Sequence, residues 1–245
     1  MRHFFKMKAL TILCILFAGF VQHAYAQKTG IGFRAGVGAS THINEFKFLV
    51  NIEQIRLDPN VTENFDAGLI YRNIIADNWR IQLEPGIIRM GARYNQVIEN
   101  EPDFGSFVIN TDSKTNIWYA YMPVLLQLTT TPPDRLEFPK PWAITTYHAT
   151  FGFYGSYLLD ASFRGTNSGA PLGVEFQGDF REDVSDQFRD FGAGVIIGGG
   201  LEHGLNSKIG IEARAIFGAL SAGDSDILNF NPLNLAVTFN IYFIF

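Results

Sequence analysis

The segment Leu233 to Phe245 alternates with a period of two. Leu233, Leu235, Val237, Phe239, Ile241, Phe243 and Phe245 share one face; Asn234, Ala236, Thr238, Asn240 and Tyr242 share the other, and only Ile244 breaks the rule. That period belongs to a β-strand with one apolar and one polar side. The polar side carries no Lys or Glu, which the water-facing side of a soluble sheet would show. An apolar row turned to lipid, opposite a polar interior, accounts for both faces. The segment therefore predicts the closing strand of a transmembrane β-barrel.

Seven earlier segments alternate in the same way: Ile31 to Ser40, Phe65 to Arg72, Trp79 to Ile87, Trp118 to Thr129, Tyr147 to Leu159, Asp190 to Glu202 and Lys208 to Gly218. With the last segment they predict an all-β fold: an eight-stranded antiparallel up-and-down barrel. The connections support it. Thr41–Asn64, Asn95–Lys114 and Asp160–Arg189 are long and Ser221–Pro232 is intermediate, whereas Asn73–Asn78 and Gly204–Ser207 are short. Long external loops and short periplasmic turns have this arrangement. The turn Thr130–Ala143, with Pro132, Pro133, Pro139 and Pro141, is long for a periplasmic one. Glu45 to Leu57 and Leu172 to Phe180 also alternate; they extend strands above the membrane as hairpins or add two strands to make a ten-stranded barrel.

Composition agrees. The chain is 47% hydrophobic and 14% aromatic with 24 glycines. Past the N-terminal segment no apolar run reaches the roughly 18 residues of a membrane-spanning helix. Residues 1–26 read as a secretory signal peptide: Arg2, Lys6 and Lys8, an apolar stretch from Ala9 to Val21, then Ala24-Tyr25-Ala26. The barrel domain is then 27–245, exported to the outer membrane. Cys14, the one cysteine, lies in the segment removed, so no disulfide is expected. Losing three cations and no acids takes the formal charge from −5 to −8, which disfavours nucleic acid as a partner.

Parity sends Arg34, Asp66, Arg72, Arg80, Glu84, Glu202, Lys208, Glu212 and Arg214 inward. The lumen of an eight-stranded barrel is filled by side chains, so these nine are expected to pair as a lumenal polar network. A plugged, rigid barrel is one reading; a gated pore or proton-linked site is the other. The lipid face is nearly free of charge, as a cost of about 2–4 kcal/mol for a midplane Arg or Lys requires.

The search for chemistry finds no catalytic, cofactor or metal residues. His148 and His203 fall near periplasmic strand ends, and His42 begins the first external loop with no His-x-Ser pair beside it. A lipid A-modifying enzyme would need such a pair at the external rim. Asp160, Glu175, Asp179, Glu182, Asp183 and Asp186 make the third loop acidic, either a solvated surface or a place for a divalent cation. Expected partners are outer-membrane lipid and lipopolysaccharide, the barrel-assembly machinery recognising Phe245, and an envelope protein meeting the external loops.

Several motifs carry a family likeness: Gly32-x-x-x-Gly36, Leu83-Glu84-Pro85-Gly86, Met122-Pro123-Val124-Leu125-Leu126 and Phe191-Gly192 with Gly198-Gly199-Gly200-Leu201-Glu202. With the signal segment and aromatic C-terminus, the chain resembles the outer-membrane β-barrel domain family of Bacteroidota known as PorT-like. The resemblance implies an accessory role in protein secretion across the outer membrane.

Overall fold

The computed structural model describes residues 29–43, 46–50, 53–57, 59–100, 107–130, 145–170, 175–204, 207–223 and 232–245. The signal segment and most of the Pro-rich turn lie outside them. The described residues form fourteen strands: β1 (Thr29–Ile43), β2 (Phe46–Val50), β3 (Glu53–Leu57), β4 (Pro59–Asn60), β5 (Thr62–Ala76), β6 (Trp79–Leu83), β7 (Gly86–Met90), β8 (Arg93–Asn100), β9 (Phe107–Thr129), β10 (Thr145–Gly169), β11 (Phe176–Asp183), β12 (Phe191–His203), β13 (Lys208–Gly218) and β14 (Leu233–Ile244).

All pairings are antiparallel, and twelve strands share one sheet. β1 pairs with β14 on one side and β5 on the other. From β5 the ladder passes through β6 and β7 to β9, then β10, β12, β13 and back to β14. The sheet thus closes on itself, and closure removes the exposed edges of the ring, leaving free edges only on the branches that end in β11 and β4 among the described residues.

The gap between β6 and β7 is made by Pro85, which has no N–H to give the ladder. The register is continuous across it: Tyr71 faces Leu83 and Gly68 faces Gly86, while Val124 faces Leu83 and Tyr121 faces Gly86. Carbonyl bonding survives, with Leu69 N–H donating to Pro85 O at 2.9 Å and Glu84 N–H to Pro123 O at 3.0 Å.

Alternation decides what each strand buries. In β14, Asn234, Ala236, Thr238, Asn240 and Tyr242 are buried, while Val237, Phe239 and Ile241 are exposed on the outer wall. Ile31, Phe33 and Val37 of β1, Phe151 and Phe153 of β10, and Ile209 and Ile211 of β13 continue that apolar exterior. Ile244 turns inward, where it clusters with Ile70 and Tyr242. Inward glycines make room for rings: a Cβ at Gly210 would stand 2.1 Å from the Tyr242 ring, and one at Gly194 would stand 2.5 Å from Tyr154.

Four sequence expectations are corrected. Asn95–Lys114 is not a plain loop, because β8 and the first part of β9 pair through it. Asp160–Arg189 likewise holds the continuation of β10 and all of β11. A register shift between Leu158 and Asp160 reverses the parity there, so Ala161 and Phe163 point inward. Asp190 precedes β12 and is exposed rather than lumenal. His42 is not a loop residue: it lies within β1, is buried, and places Nδ1 2.9 Å from the Tyr94 hydroxyl. The β2–β3 hairpin pairs only within itself and β11 only with β10, so neither enters the closed circuit among the described residues.

Candidate functional site

The interior has two parts. Near the end carrying the strand extensions, Tyr94, Ile117, Phe163, Val184 and Phe188 pack into one buried apolar cluster. The rest is charged, and its members come from strands on different sides of the ring.

Glu84 is the hub of the first charged group and is fully buried. Arg214, from β13, gives it both terminal nitrogens: Nη2 donates to Oε1 at 2.7 Å and Nη1 to Oε2. Arg34 Nε, from β1, lies 2.7 Å from the same Oε2. Arg34 also pairs with Asp66, donates to Asn240 Oδ1 at 3.0 Å and meets the Tyr121 hydroxyl, which in turn donates to Asp66 at 2.9 Å. Arg214 Nη2 donates to Glu212 at 2.7 Å, and His148 Nε2 stands 3.7 Å from that carboxylate.

Glu202 of β12 is the hub of the second group. It takes Arg72 Nη1 at 2.6 Å, Lys208 Nζ at 2.9 Å, Arg80 Nη1 and the Tyr242 hydroxyl at 3.3 Å. Gln82 joins the two groups, accepting from Arg72 Nε at 2.7 Å and donating to Glu84. All nine charged residues that parity sends inward are therefore brought together, joined by Gln82, Tyr121, Asn240 and Tyr242.

Parity already places those four polar residues inside. What it lacks is their cross-lumen partners, because these depend on how far neighbouring strands are staggered around the ring. A carboxylate shared by two or three guanidinium or ammonium groups suits a low-dielectric interior: paired charges are tolerated there, and removing one partner is costly.

Among the described residues, no three His, Cys, Asp or Glu side chains stand together where a metal ion could be held. In the acidic third loop, Asp179 accepts the Thr166 hydroxyl at 2.7 Å and Asp183 accepts Ser185 N–H at 2.9 Å. His203 sits at an exposed position beside the Thr145 hydroxyl, 3.0 Å away.

A second polar surface lies outside the ring. On the strand extensions, an open cleft of about 690 Å³ is lined by Glu63, Arg93, Asp112, Lys114, Arg164 and Arg181, among others. Lys114 Nζ donates to Glu63 at 2.8 Å. Arg93 grips both oxygens of Asp112, its Nε at 2.8 Å, and holds that carboxyl below the usual aspartate range.

A closed antiparallel sheet with an apolar outer wall and a charged interior has an inside-out pattern. The model of the outer membrane protein beta-barrel domain matches residues 25–221. The chain belongs to that family. Membership supports the outer membrane as its location. Among solved structures, OprG from Pseudomonas aeruginosa is similar at 12% identity, covering 89% of this chain and 96% of that one, with a TM-score of 0.34. Ail, the attachment invasion locus protein of Yersinia pestis, is similar at 11% identity, with 89% and 99% covered and a TM-score of 0.28. The N-terminal β-barrel domain of Pseudomonas aeruginosa OprF gives 11%, 89%, 98% and 0.29. No curated protein matches the chain.

Proposed function

We propose that the chain is a non-enzymatic structural or interaction protein of the outer membrane. In this reading β6 and β7 count as one stave broken at Pro85, giving eight staves, and the network of Glu84 and Glu202 closes the lumen. The strand extensions and hairpins stand outside the cell and meet a partner protein or the surface lipid layer. One observation carries the proposal: both hub carboxylates are shared by cations from strands across the lumen, which fills the bore with fixed charge pairs. A solute path would have to break several buried pairs at once, each strongly unfavourable to open.

The test is to reconstitute the refolded protein in planar bilayers and record current. Silence between brief events is expected. A large steady conductance would overturn the closed lumen.

A PorT-like accessory role in secretion is the second reading. The two motifs that carry the resemblance, Leu83–Gly86 and Met122–Leu126, lie on neighbouring staves, with Glu84 N–H donating to Pro123 O at 3.0 Å. Envelope subunits that co-purify with the protein from detergent-extracted membranes would favour that reading.

A further inference from the structure

The extensions place four cations in one line. Arg93 on β8 faces Lys114 on β9, Lys114 faces Arg164 on β10, and Arg164 faces Arg181 on β11. Directly paired residues share a face, so all four side chains leave the same side of the sheet. It is the side opposite Phe163 and Phe180, whose rings pack together at 5.4 Å. At about 4.8 Å between strands the row runs roughly 14 Å.

Like charges directly opposite one another destabilise a sheet. Two of the four are relieved, Arg93 by Asp112 and Lys114 by Glu63. Arg164 donates only to the amide oxygen of Asn116, at 3.4 Å, and among the described residues neither Arg164 nor Arg181 pairs with a carboxylate. These two adjacent guanidiniums border the cleft of about 690 Å³ that all four cations line. Glu63, Asp112 and Asp179 line the same cleft, so its four cations face three carboxylates, and the excess falls at Arg164 and Arg181.

Height identifies the ligand. The outward aromatic residue Trp118 ends the apolar part of β9, and Lys114 lies four residues beyond it, roughly 13 Å along the strand. With a strand tilt of about 40°, the cation row stands roughly 10 Å above the acyl region, just beyond a headgroup layer of about 5–8 Å and close enough for a long arginine side chain to reach into it. Guanidinium pairs bind phosphate in a bidentate fashion, and a cleft of this size admits a disaccharide.

We infer that the Arg93–Lys114–Arg164–Arg181 row binds a phosphate-bearing saccharide, with Arg164 and Arg181 supplying the free charge. The inference rests on the membrane reading above, since only that reading places the row beside lipid headgroups.

The test uses the full exported chain in phosphatidylcholine nanodiscs, with insertion checked first by protection of the barrel from protease. Diphosphoryl lipid A is added in one arm, its dephosphorylated form in a second, and soluble glucosamine phosphate in a third. Tight binding that requires the phosphates is expected, weakened about tenfold or more in Arg164→Ala/Arg181→Ala. The Arg164→Lys/Arg181→Lys variant keeps the charge and should bind between the two. Binding of glucosamine phosphate with the same arginine dependence would uphold the site and make its occupant a free sugar phosphate. Equal binding by wild type and the double alanine variant, or by phosphorylated and dephosphorylated lipid, would overturn the inference. Failure of the wild type to insert would instead strike the membrane reading itself.

Discussion

Replacing Glu84 by alanine is expected to cost about 3–5 kcal/mol of folding stability, the range found when one member of a buried ion pair is removed. The magnitude follows from what is left behind. Glu84 is fully buried and is shared by Arg214 and Arg34, which are themselves buried. Its loss leaves two guanidiniums short of a counter-charge. Among the described residues the inward charges number five cations (Arg34, Arg72, Arg80, Lys208, Arg214) against four acids (Asp66, Glu84, Glu202, Glu212), so these acids leave no spare anion to replace it. Glu84→Gln retains the shape and an accepting oxygen, and it should fall between alanine and wild type. Urea titration of protein folded in lipid vesicles, followed by the fluorescence of the three tryptophans, Trp79, Trp118 and Trp142, reads the difference. A shift below about 1 kcal/mol for Glu84→Ala, the scale of an exposed pair, would show that the hub does not hold the barrel.

The second large effect belongs to the outer wall. Phe239 is 63% exposed at the middle of β14, facing Val37 on β1 and Ala213 on β13. Phe239→Arg should destabilise the vesicle-inserted protein by about 2–4 kcal/mol, because an arginine near the bilayer midplane loses its hydration. On a water-facing surface the same change at an exposed site would fall within about 0.5 kcal/mol. The two values are far enough apart for one urea titration in vesicles to separate them. A result in the lower range would mean that this row does not touch acyl chains.

Much of the fold is legible in the sequence because strand parity is a local property. Arg34, Asp66, Arg72, Glu202 and Arg214 need only their immediate neighbours to be assigned to the interior. The partner of each is not local. That Arg214 meets Glu84 rather than Glu202 depends on strand stagger around the closed sheet, and no short window of residues contains it. Departures from parity have physical causes of the same kind. The register shift after Leu158 inserts one residue and turns Phe163 inward, where Tyr94 and Phe180 receive it. Ile244 keeps the inward parity of its strand, and its apolar side chain is accommodated there because Ile70 and Tyr242 offer a contact inside. His42 looks like a rim residue because the polar run after Ser40 suggests a loop, yet β1 continues to Ile43 and Tyr94 covers the imidazole. The cation row was hidden for another reason. Arg93, Lys114, Arg164 and Arg181 lie far apart in the chain, and only the pairing of the extensions aligns them.

The orientation of the wall can be tested without disturbing the fold. Cys14, the sole cysteine of the sequence, lies in the segment expected to be cleaved, so residues 27–245 accept single labels cleanly. Nitroxides placed through Val237→Cys, Phe239→Cys and Ile241→Cys should collide with oxygen dissolved in the bilayer and be shielded from a water-soluble nickel chelate. Free access of the chelate to positions 237, 239 and 241 in vesicles would contradict an apolar exterior facing lipid.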